Sequence, residues 1–338
     1  MLPAYFTVGA LIYFAGGDFA VDFHRQYWVV GNRVLDGLSP YDLSWQDLRG
    51  GVGFGYSALD ALLFVPFALL PHRAADWVFT LLNIGAVPLT LRLLGVRDWR
   101  AYGVALLGAP VVSAWQTANV SLLLGLGIAG AWRYRDRPVV AGALVALIAS
   151  VKVFVWPVGV WLLATRRYAA LAWAVVAGVA ANVVAWAVIG FDQFDAYTRL
   201  SRTIARMDDD RSYNLIALGL EHGVGHGLAY AIQLAVAAVA GYMCVRAGRR
   251  GDDAAALILA VAASLLAAPV IWLHYFALLL VPLALGRPRV SWLWVFPVLL
   301  FACPVHEPAT WQLVGALAVA AAVCAGALQG ASGRVAPG

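Results

Sequence analysis

The chain is 338 residues long, 63% hydrophobic and only 12% charged, where soluble domains carry about 25% charged residues. Its mean hydropathy of +0.80 excludes a soluble globular domain, and its apolar runs are long enough to cross a hydrocarbon layer of roughly 30 Å many times. The net charge of +5 comes from arginines, with Lys152 the one lysine. On a membrane protein it marks loops facing the cytoplasm rather than a nucleic-acid surface.

Segments that span lipid must satisfy their own backbone hydrogen bonds, as helices or a closed barrel. The runs here are continuous rather than alternating, which selects helices. The expected fold is therefore all-α: a polytopic integral membrane protein with about 9–13 hydrophobic helical segments in a single domain over 1–338. Leu2–Gly16 lacks a basic leader and a cleavage site, so it reads as a first span rather than a removed signal.

The long loop 17–57 follows, expected to be external. Asp18 and Asp22 stand four residues apart in it and would share a face of a helix. A carboxylate at a membrane boundary can take a proton, hold a metal or simply solvate a loop. The neighbouring His24, Arg25, Tyr27, Asn32, Arg33, Tyr41 and Trp45 add groups that hydrogen-bond to and stack on polyols. Ala58–Leu70 and Trp77–Leu94 read as spans, with Asp60 inside the first as a pairing partner. Counting from an external Asp22 loop then leaves Arg92, Arg97 and Arg100 on the outside, against the positive-inside tendency. Either 101–131, with Pro110 and Gln116 inside it, is a single pass, or one early segment does not span. Gln116 and Asn119 are amides in an apolar run, which either join helices or serve a site.

Arg133, Arg135 and Arg137, then Arg166 and Arg167, Arg246, Arg249 and Arg250, and Arg287 and Arg289 form four basic clusters assigned to the cytoplasm. One pass between Arg137 and Arg166 cannot return to the face it left. Two short helices meeting near Ser150-Val151-Lys152 can, with Pro157 helping to break the path. Lys152 would then lie deep in protein, facing the external side. A lysine in an apolar stretch needs a counter-charge or a polar cavity, so it reads as an interhelical ion pair or as an anion contact, a phosphate first among anions. Tyr168–Gly190 runs outward to a second charged external loop, 191–213, closed by Ser212-Tyr213-Asn214. Leu228–Val245 returns, Ala254–Ile271 goes out, and Trp272 and His274 fall near the outer boundary as a site or an interface anchor. Phe276–Leu285 returns, Trp292–Cys303 goes out, and the last helix comes back in.

Cys244, Cys303 and Cys324 lie in apolar runs without metal-ligand spacing. No phosphate-cradling glycine loop, HExxH or Ser-His-Asp signature occurs. No cofactor is expected, and a divalent metal is compatible but not indicated. A sugar transferred here would come from a membrane-borne donor. From the residues alone, a transporter or lipid flippase using Lys152, Asp60 and His274 as intramembrane coupling groups is the alternative.

Seven elements in order carry a resemblance. They are Asp22-Phe-His-Arg-Gln-Tyr27, Gly37-Leu-Ser-Pro40-Tyr41, Gly55-Tyr56, Gln116-Thr-Ala-Asn119, Lys152 with Trp156-Pro157, Tyr213-Asn214, and Trp272-Leu-His274. The set resembles the polyprenol-phosphate-sugar-dependent membrane glycosyltransferases of the GT-C class. Within that class it resembles glycosyltransferase family 87 (DUF2029), with its α-mannosyltransferases of the mycobacterial phosphatidylinositol mannoside type. Ser57-Ala58, Trp115 and Leu215 depart from the family pattern. The resemblance implies a GT-C fold with Asp22 as general base and Lys152 and His274 at the donor phosphate. It further implies Asp18, Arg25, Tyr41, Tyr56, Gln116, Asn119, Asn214 and Trp272 as substrate contacts and no bound metal. The implied reaction takes a sugar, mannose before others, from a polyprenyl-phosphate donor to a glycolipid or glycan hydroxyl with inversion. The implied partners are the donor, the acceptor and membrane lipids, and the implied place is the inner (plasma) membrane, multi-pass, with the site toward the external, periplasmic side.

Overall fold

The computed structural model describes residues 7, 9–10, 19–49, 52–53, 55–305 and 307–332. The expected span Leu2–Gly16 lies almost wholly outside these, and Asp18 entirely so. Among the described residues there are helices and no strands, as continuous apolar runs require. A π-helical turn, Phe23–Trp28, leads into α1 (Val29–Leu35). Then come α2 (Ala58–Ala68), α3 (His72–Leu93), α4 (Trp99–Leu106), α5 (Ala109–Gln116) and α6 (Ser121–Arg133). The middle of the chain forms α7 (Pro138–Val151), α8 (Pro157–Ala164), α9 (Tyr168–Ile189), α10 (Phe194–Asp208) and α11 (Leu215–Glu221). It closes with α12 (His226–Arg249), α13 (Asp253–Ala267), the 3₁₀ stretch Leu273–Leu279 running on into α14 (Leu280–Gly286), and α15 (Thr310–Ser332).

Four helices are long and apolar enough to cross a bilayer: His72–Leu93, Tyr168–Ile189, His226–Arg249 and Thr310–Ala331. Shorter apolar helices pack among them. The protein is a multi-pass membrane protein. Val175, Val179 and Val183 of α9 and Leu228, Ile232 and Val239 of α12 stand exposed, which a lipid-facing surface tolerates and a water-facing one does not. Small residues bring the helices close. A Cβ at Gly142 of α7 would lie 2.5 Å from the Ala170 carbonyl oxygen and 2.6 Å from Trp173 Cβ on α9.

The arginines collect at one end of this bundle. The Arg167 guanidinium grips Asp253 with two bonds of 3.1 and 2.6 Å, and Arg135 lies 3.6 Å from the same carboxylate. Trp132, Asp253, Leu285 and Ala331 line one cavity there. Arg287 reaches the Gly326 carbonyl. Asp98 accepts from the Val290 amide at 3.0 Å. That bond, with the Arg100 amide, holds its carboxyl below the usual carboxylate range. Arg97 and Arg100, which flank Asp98, therefore join the other basic clusters rather than opposing them.

The early spans account for this. Ala58–Ala68 has 11 residues, a rise of about 16 Å, half of the roughly 30 Å needed. Both of its ends stay at the end opposite the arginines. It starts beside Tyr56, with Ser57 and Asp60 as a capping box. It stops where Trp28 Nε1 donates to the Leu70 carbonyl and His72 meets His24 edge to face at 4.9 Å. The reading of Ala58–Leu70 as a span is thus corrected, and α3 carries the chain to the basic end. Nor is 101–131 one pass: α4 and α5 come up, and α6 returns after a 114° bend between α5 and α6. Pro138–Val151 and Pro157–Ala164 do meet at Lys152, as the arginine spacing requires. The segment 191–213, expected as a loop, contains the helix α10. Its Tyr197 packs on Tyr41, Leu200 is buried, and Ile204 lies over Gly55. This apolar stripe at helical spacing was hidden among Arg199, Arg202 and Arg206.

Replacing Gly142 with Val is expected to lower stability by about 1–3 kcal/mol through overpacking, read as thermal unfolding in detergent. Gly85→Ala on α3, where a Cβ meets nothing within 4 Å, is expected to leave the midpoint nearly unchanged. Equal shifts would contradict the close α7–α9 approach.

Candidate active site

The site grows from the break between α5 and α6. A helix that stops leaves carbonyls without partners, and one that starts leaves amides. Here the segment carrying Asp22 takes the carbonyls. Ala20 N–H donates to Gln116 O at 2.8 Å, and Asp22 and Phe23 N–H donate to Thr117 O at 3.0 and 3.3 Å. Ala20 and Ala118, on the two sides of this junction, hold left-handed φ of 55° and 54°, a strain common at functional sites. Asn119 handles the other half. Its Oδ1 accepts from the Ser121 amide at 3.1 Å and the Ser121 hydroxyl at 2.7 Å. The Ser121 amide can only donate, so Asn119 must turn its Nδ2 away from it. That Nδ2 donates to Asp22 Oδ2 at 3.0 Å.

Asp22 opens the π-helical turn Phe23–Trp28. Its side chain is 21% exposed, while His274, whose Nε2 lies 3.9 Å from the same oxygen, is 2% exposed. The separation exceeds a direct hydrogen bond. Beside them, Lys152 is buried at the α7–α8 break and donates to Tyr56 OH at 2.6 Å and Tyr275 OH at 2.7 Å. Its ammonium also sits over both rings, at 4.0 and 4.9 Å from the centroids. Tyr27 donates to Tyr56 OH at 3.2 Å, and Tyr56 in turn reaches Gln26 Oε1. Asp60 and Asp22 supply the negative charge that acts on Lys152. Asp60 is held by the Ser57 amide and hydroxyl, both at 3.1 Å.

His274 and Tyr275 come from the irregular stretch after α13, which is strapped from outside. Tyr213 N–H donates to Ile271 O at 2.8 Å, the Ile271 amide donates to Ser212 Oγ at 2.7 Å, and Leu273 N–H donates to Val305 O at 3.2 Å. Asn214 Nδ2 donates to Pro269 O at 2.6 Å while its Oδ1 caps α11 through Ala217 N–H at 2.8 Å. Gln233, from α12, bridges the Ala268 carbonyl and the Leu215 amide.

The structure thus brings Asp22, Asn119, Lys152, Tyr56 and His274 together. The other expected contacts lie as follows. Asn214 has both polar ends bound to its own chain and holds the His274 segment. Gln116 meets the site through its backbone carbonyl. Tyr41 is buried, stacked on Trp186 at 5.6 Å and tilted against Tyr197 at 5.4 Å. Arg25 is exposed and Trp272 half-buried, just before the 3₁₀ stretch. Asp18 lies outside the described residues. Tyr275 and Gln26 were missed as participants, while Tyr27, named among the polar groups of the first loop, enters through its bond to Tyr56. The available signal was chemical: a lysine buried among hydrocarbon must find acceptors, and Tyr275 adjoins a residue already singled out.

Such a cluster can accept a proton at Asp22 and meet an anion at Lys152, which uses two of its three donors among the described residues. The chain matches the family model described as Glycosyltransferase family 87 over residues 54–272, a stretch that contains Tyr56, Asn119 and Lys152. A Mycolicibacterium smegmatis protein is 26% identical over 314 residues, covering 87% of this chain and 71% of that one. Its name is polyprenol-phosphate-mannose-dependent alpha-(1-2)-phosphatidylinositol pentamannoside mannosyltransferase. A Mycobacterium tuberculosis protein of the same name is 25% identical over 292 residues, covering 77% of this chain and 67% of that one. No solved structure matches.

Asn214→Ala is expected to lower stability by about 1–3 kcal/mol, through a lost cap and a buried carbonyl left bare. Gln116→Ala should stay within about 0.5 kcal/mol. Thermal unfolding of both variants checks this, and equal effects would contradict the scaffolding role of Asn214.

Proposed function

The chain belongs to glycosyltransferase family 87, and on that footing we propose that it moves a mannosyl group from a polyprenyl-phosphate-mannose donor to a hydroxyl of a membrane glycolipid, with Asp22 as general base. The observation that carries the reading is the Asn119–Asp22 contact beside Lys152, at the end of the bundle opposite the arginines. By the positive-inside tendency that end faces outward, so the reaction is assigned to the external side of the plasma membrane. The names of the two relatives support a polyprenol-phosphate-mannose donor and a phosphatidylinositol mannoside-like acceptor.

In this reading Asp22 Oδ2, fixed by Asn119, takes the proton of the acceptor hydroxyl as its oxygen attacks the anomeric carbon. The bond from that carbon to the phosphate oxygen breaks, and the polyprenyl phosphate leaves with the electron pair. The ammonium of Lys152 meets the charge that develops on the phosphate, and a buried cation preset by two phenols needs little reorganisation to do so. His274, close to Asp22 and next to Tyr275, lies between the two tasks and can donate to the phosphate or the sugar. Attack opposite the leaving group inverts the centre, so a β-linked donor gives an α-linked product. The step as written uses no cofactor.

Reconstitution with polyprenyl-phosphate-mannose and a lipid extract tests this. Asp22→Asn preserves shape and can still meet Asn119, yet transfer should fall by about 10²–10⁴-fold. Lys152→Ala should mainly raise the donor concentration needed for half-maximal rate. Undiminished transfer by Asp22→Asn would remove the general base from this account.

A further inference from the structure

A second polar cluster sits on the other side of the turn that carries Asp22. His24 belongs to the π-helical turn, His72 is the first residue of α3, and Asp76 follows one helical turn later, so His72 and Asp76 share a face. His24 Nδ1 lies 3.8 Å and His72 Nε2 3.5 Å from Asp76 Oδ2, and one ligand atom from each residue falls within 4.8 Å of the others. These separations are too long for hydrogen bonds. They approach the edge of a tetrahedron drawn around a metal with bonds of about 2.0–2.2 Å, which is roughly 3.4 Å. Asp76 is 5% exposed, and its Oδ1 has no hydrogen-bond partner among the described residues. A buried carboxylate in that state is costly without a cation. His72 is exposed, so the cluster opens to an entry path.

We propose that His24, His72 and Asp76 form a binding site for one divalent transition metal of the zinc class. Two imidazoles and one carboxylate are borderline ligands that suit Zn²⁺ or Co²⁺ better than Mg²⁺ or Ca²⁺. Three protein ligands leave one position of a tetrahedron for water. The metal would not touch the reacting atoms of the mannosyl transfer. Residues two apart in a helical turn do not share a face, so Asp22 points to Asn119 while His24 points to α3. A metal at His24 would pin the π-helical turn to the start of α3 and so fix the angle from which Asp22 enters the site. The Trp28 ring, 5.1 Å from that of His72, and the Phe19–Trp77 pair at 4.7 Å flank the cluster.

The site is tested on the full-length protein in detergent, carrying an affinity tag without histidine, stripped with a chelator and titrated with Co²⁺. One Co²⁺ per chain with intense visible ligand-field bands, displaced by Zn²⁺, is expected. His72→Asn and Asp76→Asn should each weaken binding by at least about tenfold. Asp22→Asn should keep both stoichiometry and spectrum, which separates this site from the mannosyl-transfer reading. His72 is exposed, so its variant should fold, and Zn²⁺ should raise the unfolding midpoint of the parent but not of His72→Asn. Absence of a one-to-one Co²⁺ complex, or equal binding by parent and His72→Asn, would overturn the site.

Discussion

The hydrogen bond from Asn119 to Asp22 depends on a constraint that lipid imposes: no backbone group may be left bare in a membrane. The chain breaks a helix between Gln116 and Ser121, which frees carbonyls at one stump and amides at the other. The segment from Ala20 to Phe23 takes the carbonyls. Asn119 takes the Ser121 amide and is thereby left with only a donor to offer. Asp22 therefore accepts it. The position of one carboxylate and the satisfaction of one helix break are the same event.

The same logic repeats twice. Lys152 stands where α7 gives way to α8, and His274 and Tyr275 stand where α13 gives way to the 3₁₀ stretch. Each interruption delivers a polar side chain to one level of the bundle, opposite the arginines. Each is repaired locally: by the Val155 amide, which donates to the Lys152 carbonyl, and by the Ser212–Asn214 strap on Pro269–Ile271. Tyr275 links the pieces, since its neighbour approaches Asp22 and its own hydroxyl receives Lys152. For the proposed transfer, this sets the proton acceptor and the cation side by side on elements that cannot slide independently.

Much of this was legible in the sequence where chemistry and hydrophobicity conflict. Lys152 in an apolar run marked a break, and the arginine clusters at Arg137 and Arg166 required the chain to return. Asp22 stood out as a carboxylate in a polar, aromatic loop at the membrane boundary, and Asn119 as an amide in an apolar run. What stayed hidden depended on partners distant in sequence. The 11 residues of Ala58–Ala68 are apolar enough to look like a span, and only the contacts of Trp28 with Leu70 and of His24 with His72 show that they turn back. Asn214 reads as a site amide, but only the fold reveals that Pro269 and Ala217 already hold it. The helix α10 was masked because its arginines dominate the composition while its apolar stripe packs on Tyr41 and Gly55. His72 and Asp76, at helical spacing, became a cluster only once His24 arrived from another segment.

The most direct measurement is a structure of the protein bound to a non-transferable polyprenyl-phosphate-sugar analogue. The account expects the phosphate within hydrogen-bond reach of Lys152 Nζ, the anomeric carbon facing Asp22, and the polyprenyl chain leaving between helices into lipid. A phosphate lodged among Arg135, Arg167 and Arg287 at the opposite end, with Asp22 far from the sugar, would contradict it.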